Sequence, residues 1–327
     1  MWEKVKLHKV IYKPISGEWG NEGDSIKIIR TTNFTNSGRL HLHEVVTRDI
    51  DLTKVNKKKL VKGDTIIEKS GGSPTQPVGR VVYFNEDDLY LCNNFTSVIR
   101  PKENVNGKYL FWFLFNNHVS KRTLRYQNKT TGIINLKLEN YINEIEIPLP
   151  PLPIQEKIAT ILDKADELRR KDKDLQTKYD ELAQAIFIDM FGDPVKNEKG
   201  WEVKRLVDLG TVVTGNTPSR AKEEYYGDHI EWIKTDNIIS DKIYPTKAKE
   251  YLSECGMRLG RTVSSDSILV TCIAGSKKSI GNCCLTDRTV AFNQQINAMT
   301  NFSNSYRPIF LYRLFKEYQP YIQNSST

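Results

Sequence analysis

The sequence predicts an α+β protein, two copies of one mixed α/β domain joined by a long coiled-coil helix. Three observations lead there. The run from Ile154 to Phe191 contains neither glycine nor proline. Segments near the two ends of the chain match one another in order at a nearly constant offset. Finally, 327 residues with 39% hydrophobic and 27% charged side chains are enough for two cores.

Residues 1–147 read as strand and loop with one helix. Ile26-Lys27-Ile28-Ile29-Arg30, Thr65-Ile66-Ile67 and Arg80-Val81-Val82-Tyr83-Phe84 are β-branched and aromatic, whereas Lys108 to Ser120 has the character of a buried helix. The stretch from Lys69 to Arg80, rich in Gly, Ser and Pro, is expected to be an irregular loop. A proline entrance, Leu149-Pro150-Pro151-Leu152-Pro153, opens the long helix with Pro153 at its first position, where no amide N–H is needed. Gly192 and Pro194 close it after about 58 Å at 1.5 Å per residue. Ile154, Ile158, Ile161, Ala165, Leu168, Asp172, Leu175, Tyr179, Leu182 and Ile186 alternate spacings of four and three, a heptad seam broken only by Asp172. The boundaries expected are 1–147, 148–194 and 195–327.

The repeat emerges residue by residue. Trp2-Glu3 and Leu7 match Trp201-Glu202 and Leu206 at 201 − 2 = 199, and Ile29 to Asn33 matches Ile233 to Asn237 at 235 − 31 = 204. Asp64-Thr65-Ile66 matches Asp266-Ser267-Ile268, and Gly79 matches Gly281, at 281 − 79 = 202. Asn93 and Asn293, then Leu114-Phe115 and Leu314-Phe315, follow at 315 − 115 = 200. Several weak matches in order carry more weight than any one alone. Partners for Thr131-Gly132-Ile133-Ile134-Asn135-Leu136, for the proline entrance and for the long helix would fall beyond Thr327, so the second copy is expected to be incomplete at its C-terminus.

Lys and Arg exceed Asp and Glu by 48 − 40 = 8 and the pI is about 9.0, a balance that favours a polyanionic partner. Five cysteines, Cys92, Cys255, Cys272, Cys283 and Cys284, form no Cys-x-x-Cys pair and read as reduced core thiols. His41 and His43 would share a strand face, with no further ligand at metal spacing. Met1 to Lys6 lacks a signal-peptide core, and Tyr109 to Phe115 is too short to span a bilayer, so a cytoplasmic protein without membrane contact is expected. There is no phosphate-binding Gly-x-x-x-x-Gly-Lys loop, and Leu149-Pro150-Pro151-Leu152 lacks the amide and aromatic of an adenine methyltransferase motif. Asp193 with Glu202-Val203-Lys204 has only the superficial spacing of a nuclease centre, because Glu202 recurs as Glu3 in the first copy.

Ile147 to Ile158 leading into Leu162-Asp163-Lys164-Ala165-Asp166-Glu167-Leu168, the exit Phe191-Gly192-Asp193-Pro194, and Trp201 to Leu206 resemble the specificity (S) subunits of type I restriction-modification systems, as does Gly63-Asp64-Thr65-Ile66-Ile67. The resemblance covers essentially the whole chain. It implies two target-recognition domains that each read half of a split double-stranded DNA site. It also implies two long helices packed as an antiparallel coiled coil, docking methyltransferase (M) subunits that in turn support restriction (R) subunits. No catalysis, metal or cofactor is implied for the chain itself. With one helix only, the exposed seam is expected to pair with a second copy or with a complementing fragment.

DNA reading needs cations for phosphates and polar groups for base edges. Lys57, Lys58, Lys59, Lys62, Lys121, Arg122 and Arg125 are candidate phosphate contacts. Arg30, Thr32, Asn33, Lys69, Ser70, Ser73, Gln76 and Arg80 are candidate base readers, with Lys234, Asp236, Asn237, Ser276, Lys277, Lys278 and Asn282 as their equivalents. The rival reading, a coiled-coil adaptor without a DNA role, accounts for the helix but not for two basic repeats with Gly/Ser loops.

Overall fold

The computed structural model describes residues 2–73, 75–130, 133–303 and 305–325. Pro74 of the Gly/Ser loop, Thr131-Gly132 and Thr327 lie outside the described residues. The chain divides into two compact units, Met1–Lys171 and Asp172–Thr327. The long helix, Leu152–Phe191, contributes its first half to one and its second half to the other.

The core of the first unit is a four-stranded antiparallel sheet in the order Ile15–Ser16, Thr96–Ile99, Thr65–Glu68, Val81–Tyr83. Beside it, Asn21–Ile29 pairs antiparallel with Val46–Asp49 and parallel with Tyr90–Cys92. Ile29, Ile66, Val82, Phe84, Cys92 and Val98 form the core between these strands. Helix Gly107–Val119 covers the sheet, with Leu110, Phe111 and Leu114 buried. Asn106 caps it, accepting from Tyr109 N at 3.0 Å.

The second unit repeats this plan. Thr211–Thr214, Ile296–Thr300, Ile268–Thr271 and Cys283–Leu285 form a sheet of the same order. Ile230–Ile233 runs parallel to Val290–Phe292, and helix Pro308–Ser325 covers the sheet. The repeat extends to backbone approach. A Cβ on Gly17 would lie 1.9 Å from Asn93 O, and one on Gly215 would lie 2.1 Å from Asn293 O, so both positions require glycine.

Strand register corrects one repeat assignment. Thr65 faces Ile99 and Ile268 faces Met299, so Thr65 corresponds to Ile268 at 268 − 65 = 203, one residue away from the match read in the sequence. Gly63 (φ 96°) therefore corresponds to Asp266 (φ 61°), and both occupy the left-handed corner before the strand. Two identities at the 202-residue offset, Asp64 with Asp266 and Ile66 with Ile268, masked the shift. Asp64, fully buried, accepts from Arg100 Nε and Nη2 at 2.8 Å each. Ser267, its true counterpart, donates to Thr300 Oγ1 at 2.9 Å.

The Gly/Ser loop is also not wholly irregular. Ser70–Gly72 is a strand, because Ile133–Leu136 offers it an edge, with Ile134 opposite Gly72 and Asn135 opposite Ser70. His41 and His43 lie outside any strand, His43 in a turn, with ring centroids 4.8 Å apart. Cys92, Cys283 and Cys284 are buried, but Cys255 and Cys272 are exposed, the first on the outer side of helix Glu254–Leu259 and the second just past the end of Ile268–Thr271.

The long helix starts at Leu152, one residue before Pro153, and ends at Gly192 in the left-handed conformation (φ 80°). In the first unit it docks by one face. Gln155 accepts from Asn106 N at 2.9 Å and donates to Pro150 O at 2.8 Å. Asp163 accepts from Trp112 Nε1 at 2.9 Å, and Asp166 accepts from Arg39 Nη2 at 2.8 Å. Burial pushes the Asp166 carboxyl up, but hydrogen bonds from Arg169 and Arg39 outweigh it and hold the group below its ordinary range. At about 100° per residue, the seam residues Ile154, Ile161, Ala165 and Leu168 fall on the opposite side, where they are exposed. Ile158 alone of the seam packs partly against this core. In the second unit Phe187 and Phe191 stack near Phe310 at 5.8 and 5.1 Å, while Leu175, Tyr179, Leu182 and Ile186 are exposed.

The two solutions to one buried position give a test. Arg100→Met strands the Asp64 carboxylate and is expected to cost about 3 kcal/mol. The double change Asp64→Ser with Arg100→Thr, copying Ser267 and Thr300, is expected to recover most of that loss. Urea denaturation of the three chains measures both numbers, and a double variant no more stable than the single one contradicts the structural equivalence.

Candidate nucleic-acid interface

In the first unit the parallel strand ending at Ile29 runs into the turn Thr31–Asn33. Asn33 is buried and its amide is fully used. Its Oδ1 accepts from Arg30 N at 2.9 Å, and its Nδ2 donates to His41 O at 3.1 Å and Glu44 O at 3.2 Å. Asn237 does the same in the second unit, accepting from Lys234 N at 3.0 Å and donating to Lys247 O and Thr246 Oγ1 at 3.2 Å each. Both asparagines thus hold the turn in shape, and their amides are not free to read bases.

Arg80 is similarly committed. Its Nε and Nη2 donate to Glu68 at 2.8 and 3.0 Å, and Nη2 also reaches Thr31 O at 3.2 Å. It therefore ties the base of the Gly/Ser loop to the turn. Asn282, at the same place in the second unit, donates to Ile238 O at 3.4 Å and accepts from Gln319 Nε2 at 2.6 Å. A Cβ on Gly79 (φ 98°) would lie 3.1 Å from Thr123 Cβ, so the loop approaches the segment that carries Lys121, Arg122 and Arg125 more closely than a side chain allows.

The first unit thus brings together Arg30 and Thr32 on the turn, Lys69, Ser70, Ser73 and Gln76 on the loop, and Lys121 to Arg125. Thr32 and Gln76 are exposed. Ser73 Oγ accepts from Gln76 N at 3.1 Å, closing the loop tip and leaving the Gln76 side chain outside. Ser70 Oγ donates to Asn135 Oδ1. Lys69 is half-buried and donates to Ser16 Oγ; burial lowers its pKa and the nearby Lys58 charge adds to this. Lys58 pairs with Glu18 at 2.8 Å, and that hydrogen bond leads the causes holding Glu18 below its ordinary range. Lys62 pairs with Asp87 at 2.6 Å. Arg122 reaches Asn117 Oδ1 at 3.4 Å, and Arg125 lies 4.7 Å from the Tyr126 ring centre. Lys57, Lys59 and Lys121 are exposed and have no carboxylate partner among the described residues.

In the second unit Lys234 is bonded to Glu250, and Asp236 pairs with Lys249 at 3.7 Å. Ser276, Lys277 and Lys278 are exposed on and before the turn Lys277–Ser279, the two lysines without ion pairs among the described residues. Sequence reasoning missed Arg220. Its guanidinium lies 4.5 Å from the Tyr226 ring centre and 4.9 Å from that of Trp232, and it reaches Glu250 at 2.7 Å. Its interleaving with Tyr225-Tyr226 was the only signal.

No group of His, Cys, Asp and Glu among the described residues could hold a metal ion. Asp193 accepts from Val195 N at 2.8 Å as a turn cap, and Glu202 pairs with Lys204 at 3.3 Å. No helix among the described residues is long and apolar enough to cross a membrane.

The family model described as "Type I restriction modification DNA specificity domain" matches residues 2–176 and 198–327. The type I restriction enzyme HindI specificity subunit of Haemophilus influenzae is 22% identical over 354 residues, covering 85% of this chain and 74% of that protein. The MjaIX specificity subunit of Methanocaldococcus jannaschii is 26% identical over 197 residues, covering 56% of this chain and 44% of the relative. Among solved structures, a type I S subunit from M. genitalium aligns over 99% of this chain and 79% of its own, with a TM-score of 0.55 at 14% identity. A chain from a structure of the type I R-M system aligns over 99% and 81%, with a TM-score of 0.51 at 15% identity. These likenesses establish a shared fold, and because the family model matches both copies over most of their length, the chain belongs to the type I restriction modification DNA specificity domain family.

Proposed function

We propose that this chain binds double-stranded DNA sequence-specifically and lends that specificity to M subunits that methylate adenine and to R subunits that cleave. Specificity subunits are recognition components without catalysis of their own. The observation that carries the reading is the corner built twice. A buried asparagine shapes a turn, a polar side chain ties it to a loop, and exposed Thr32, Gln76, Lys277 and Lys278 stand on these segments. Residues 1–147 and 195–327 would each read half of a split site, with 148–194 as the spacer, in the cytoplasm. The exposed seam supports a second element of the reading, self-association through the spacer helix or pairing with a complementing fragment.

Exposure and side-chain bonding support a smaller set of candidate sequence readers. Thr32 and Gln76 are exposed and would face bases, with Arg30, Lys69 and the loop-closing Ser73 beside them, and Lys57, Lys59 and Lys121 would face phosphates. Replacing Lys57 and Lys59 with alanine is expected to weaken binding on all sequences and to flatten the salt slope by about two units. Gln76→Ala is expected to change the preferred base, with a discrimination loss of about 1–3 kcal/mol. Titrations at several salt concentrations on a randomised DNA library, with the M subunits present, separate the two. Uniform loss for both variants would contradict this division of labour.

For the seam, light scattering at micromolar concentration is expected to give twice the chain mass. Leu175→Asp with Leu182→Asp should return it to monomer while circular dichroism keeps the helical signal. A monomeric unmodified chain with its helix intact would remove self-association.

A further inference from the structure

The corner of the second unit carries a group that the first lacks. From Gly17 to Ile26 the first unit takes 26 − 17 = 9 steps of chain, and from Gly215 to Ile230 the second takes 230 − 215 = 15, so its loop is longer by 15 − 9 = 6 residues. Arg220 lies on this longer loop, which is pinned along its length. Asn216 donates to Leu259 O and accepts from Arg261 N, both at 2.8 Å, Thr217 donates to Gln294, and Pro218 O accepts from the Tyr226 hydroxyl at 2.6 Å. The Arg220 guanidinium then lies 4.5 Å from the Tyr226 ring centre and 4.9 Å from that of Trp232, with Nη2 at 2.7 Å from Glu250.

Glu250 links this arginine to the turn. Its carbonyl accepts from Trp232 N at 3.1 Å, and its carboxylate also binds Lys234, whose ammonium lies 4.7 Å from the Trp232 ring centre. A hydrogen bond from Lys234, opposed by burial and aided by Arg220, holds the Glu250 carboxyl below its ordinary range, so two cations share one carboxylate. The corner can be built without any of these groups. In the first unit Ile28 stands where Trp232 does and Val46 where Glu250 does, and Asn33 closes the same turn. Trp232 is 2% exposed and the Arg220 side chain 54%, so the ring is the platform and the guanidinium edge the surface. Glu250 occupies one edge of a group with five N–H donors, and Arg220 makes no aligned hydrogen bond among the described residues. Two rings and a carboxylate fix the plane of the guanidinium. A phosphate contact does not require that, and a two-point contact with a base edge does.

We propose that Arg220 reads one guanine in the half-site of the second unit, donating from Nη1 and Nη2 to the O6 and N7 acceptors in the major groove. Tyr226, Trp232 and Glu250 are its positioning residues, and they hold the fork in place before DNA arrives. The inference rests on DNA reading by this chain and adds to it a residue and the base that the residue selects.

The full chain with its M subunits is selected on a randomised DNA library, unmodified and as Arg220→Ala and Arg220→Lys. The unmodified chain is expected to prefer guanine at one position that Arg220→Ala relaxes by about tenfold or more, with preferences elsewhere unchanged. Arg220→Lys keeps the charge and loses the fork, so it is expected to relax the same position. Placing 7-deazaguanine there removes the N7 acceptor and is expected to weaken the unmodified chain about fivefold or more, a loss that needs no variant to fold, and to leave Arg220→Ala within about twofold. A loss spread evenly over all sequences and restored by Arg220→Lys makes Arg220 a phosphate contact and overturns the proposal. So does a guanine preference that both variants keep, or a half-site without guanine. An unmodified chain with no sequence preference at all overturns DNA reading itself, and this proposal with it.

Discussion

A buried amide sets the geometry of each candidate reading corner. Asn33 and Asn237 each present one acceptor and two donors inside the protein, and each leaves none unused. A buried amide left unpaired would cost about 1–3 kcal/mol, so the turn must close in the one shape that satisfies it. From that shape follow the direction of Arg30 and Lys234, the exposure of Thr32, and the carbonyls to which Arg80 and Asn282 bind. The side chains that look most like base readers are therefore the frame, and their neighbours are the surface.

Where the two units solve the same problem differently, chemistry varies while geometry stays. Asp64 with Arg100 and Ser267 with Thr300 occupy one position, an ion pair in one unit and a pair of hydroxyls in the other. A buried ion pair gains little net stability after desolvation but is costly to break on one side only. Partners in such a pair are thus expected to change together, and the hydroxyl pair shows an alternative that fits the same space. The corner before the strand tolerates Gly63 or Asp266 for a related reason: the constraint is a positive φ, which both residues reach.

Much of the fold was legible because its signals are local. The heptad period, the proline entrance and Gly192 lie within one helix, and the observed bounds fall within a residue of those expected. The repeat was legible from residue matches, yet its register at Thr65 was one residue out, since only hydrogen bonding to the distant strand Thr96–Ile99 distinguishes the two alignments. Site residues fared worse for the same physical reason. Whether an arginine or asparagine is free depends on partners far along the chain, as Glu68 and Thr31 are for Arg80 and as His41 and Glu44 are for Asn33. The strand at Ser70–Gly72 needed the edge at Ile133–Leu136, and the stack of Arg220 on Trp232 needed a turn of chain between them.

The long helix combines two interfaces of opposite character. Its first half meets the first unit largely through polar groups, Gln155, Asp163 and Asp166, each bonded to a specific backbone or side-chain partner. Directional bonds of this kind fix rotation about the helix axis more tightly than apolar packing alone, since a turn of one residue would break all three. With rotation fixed, the seam has no freedom to roll inward and bury itself. Its exposure is then a consequence of how the helix is anchored rather than of a weak apolar pattern.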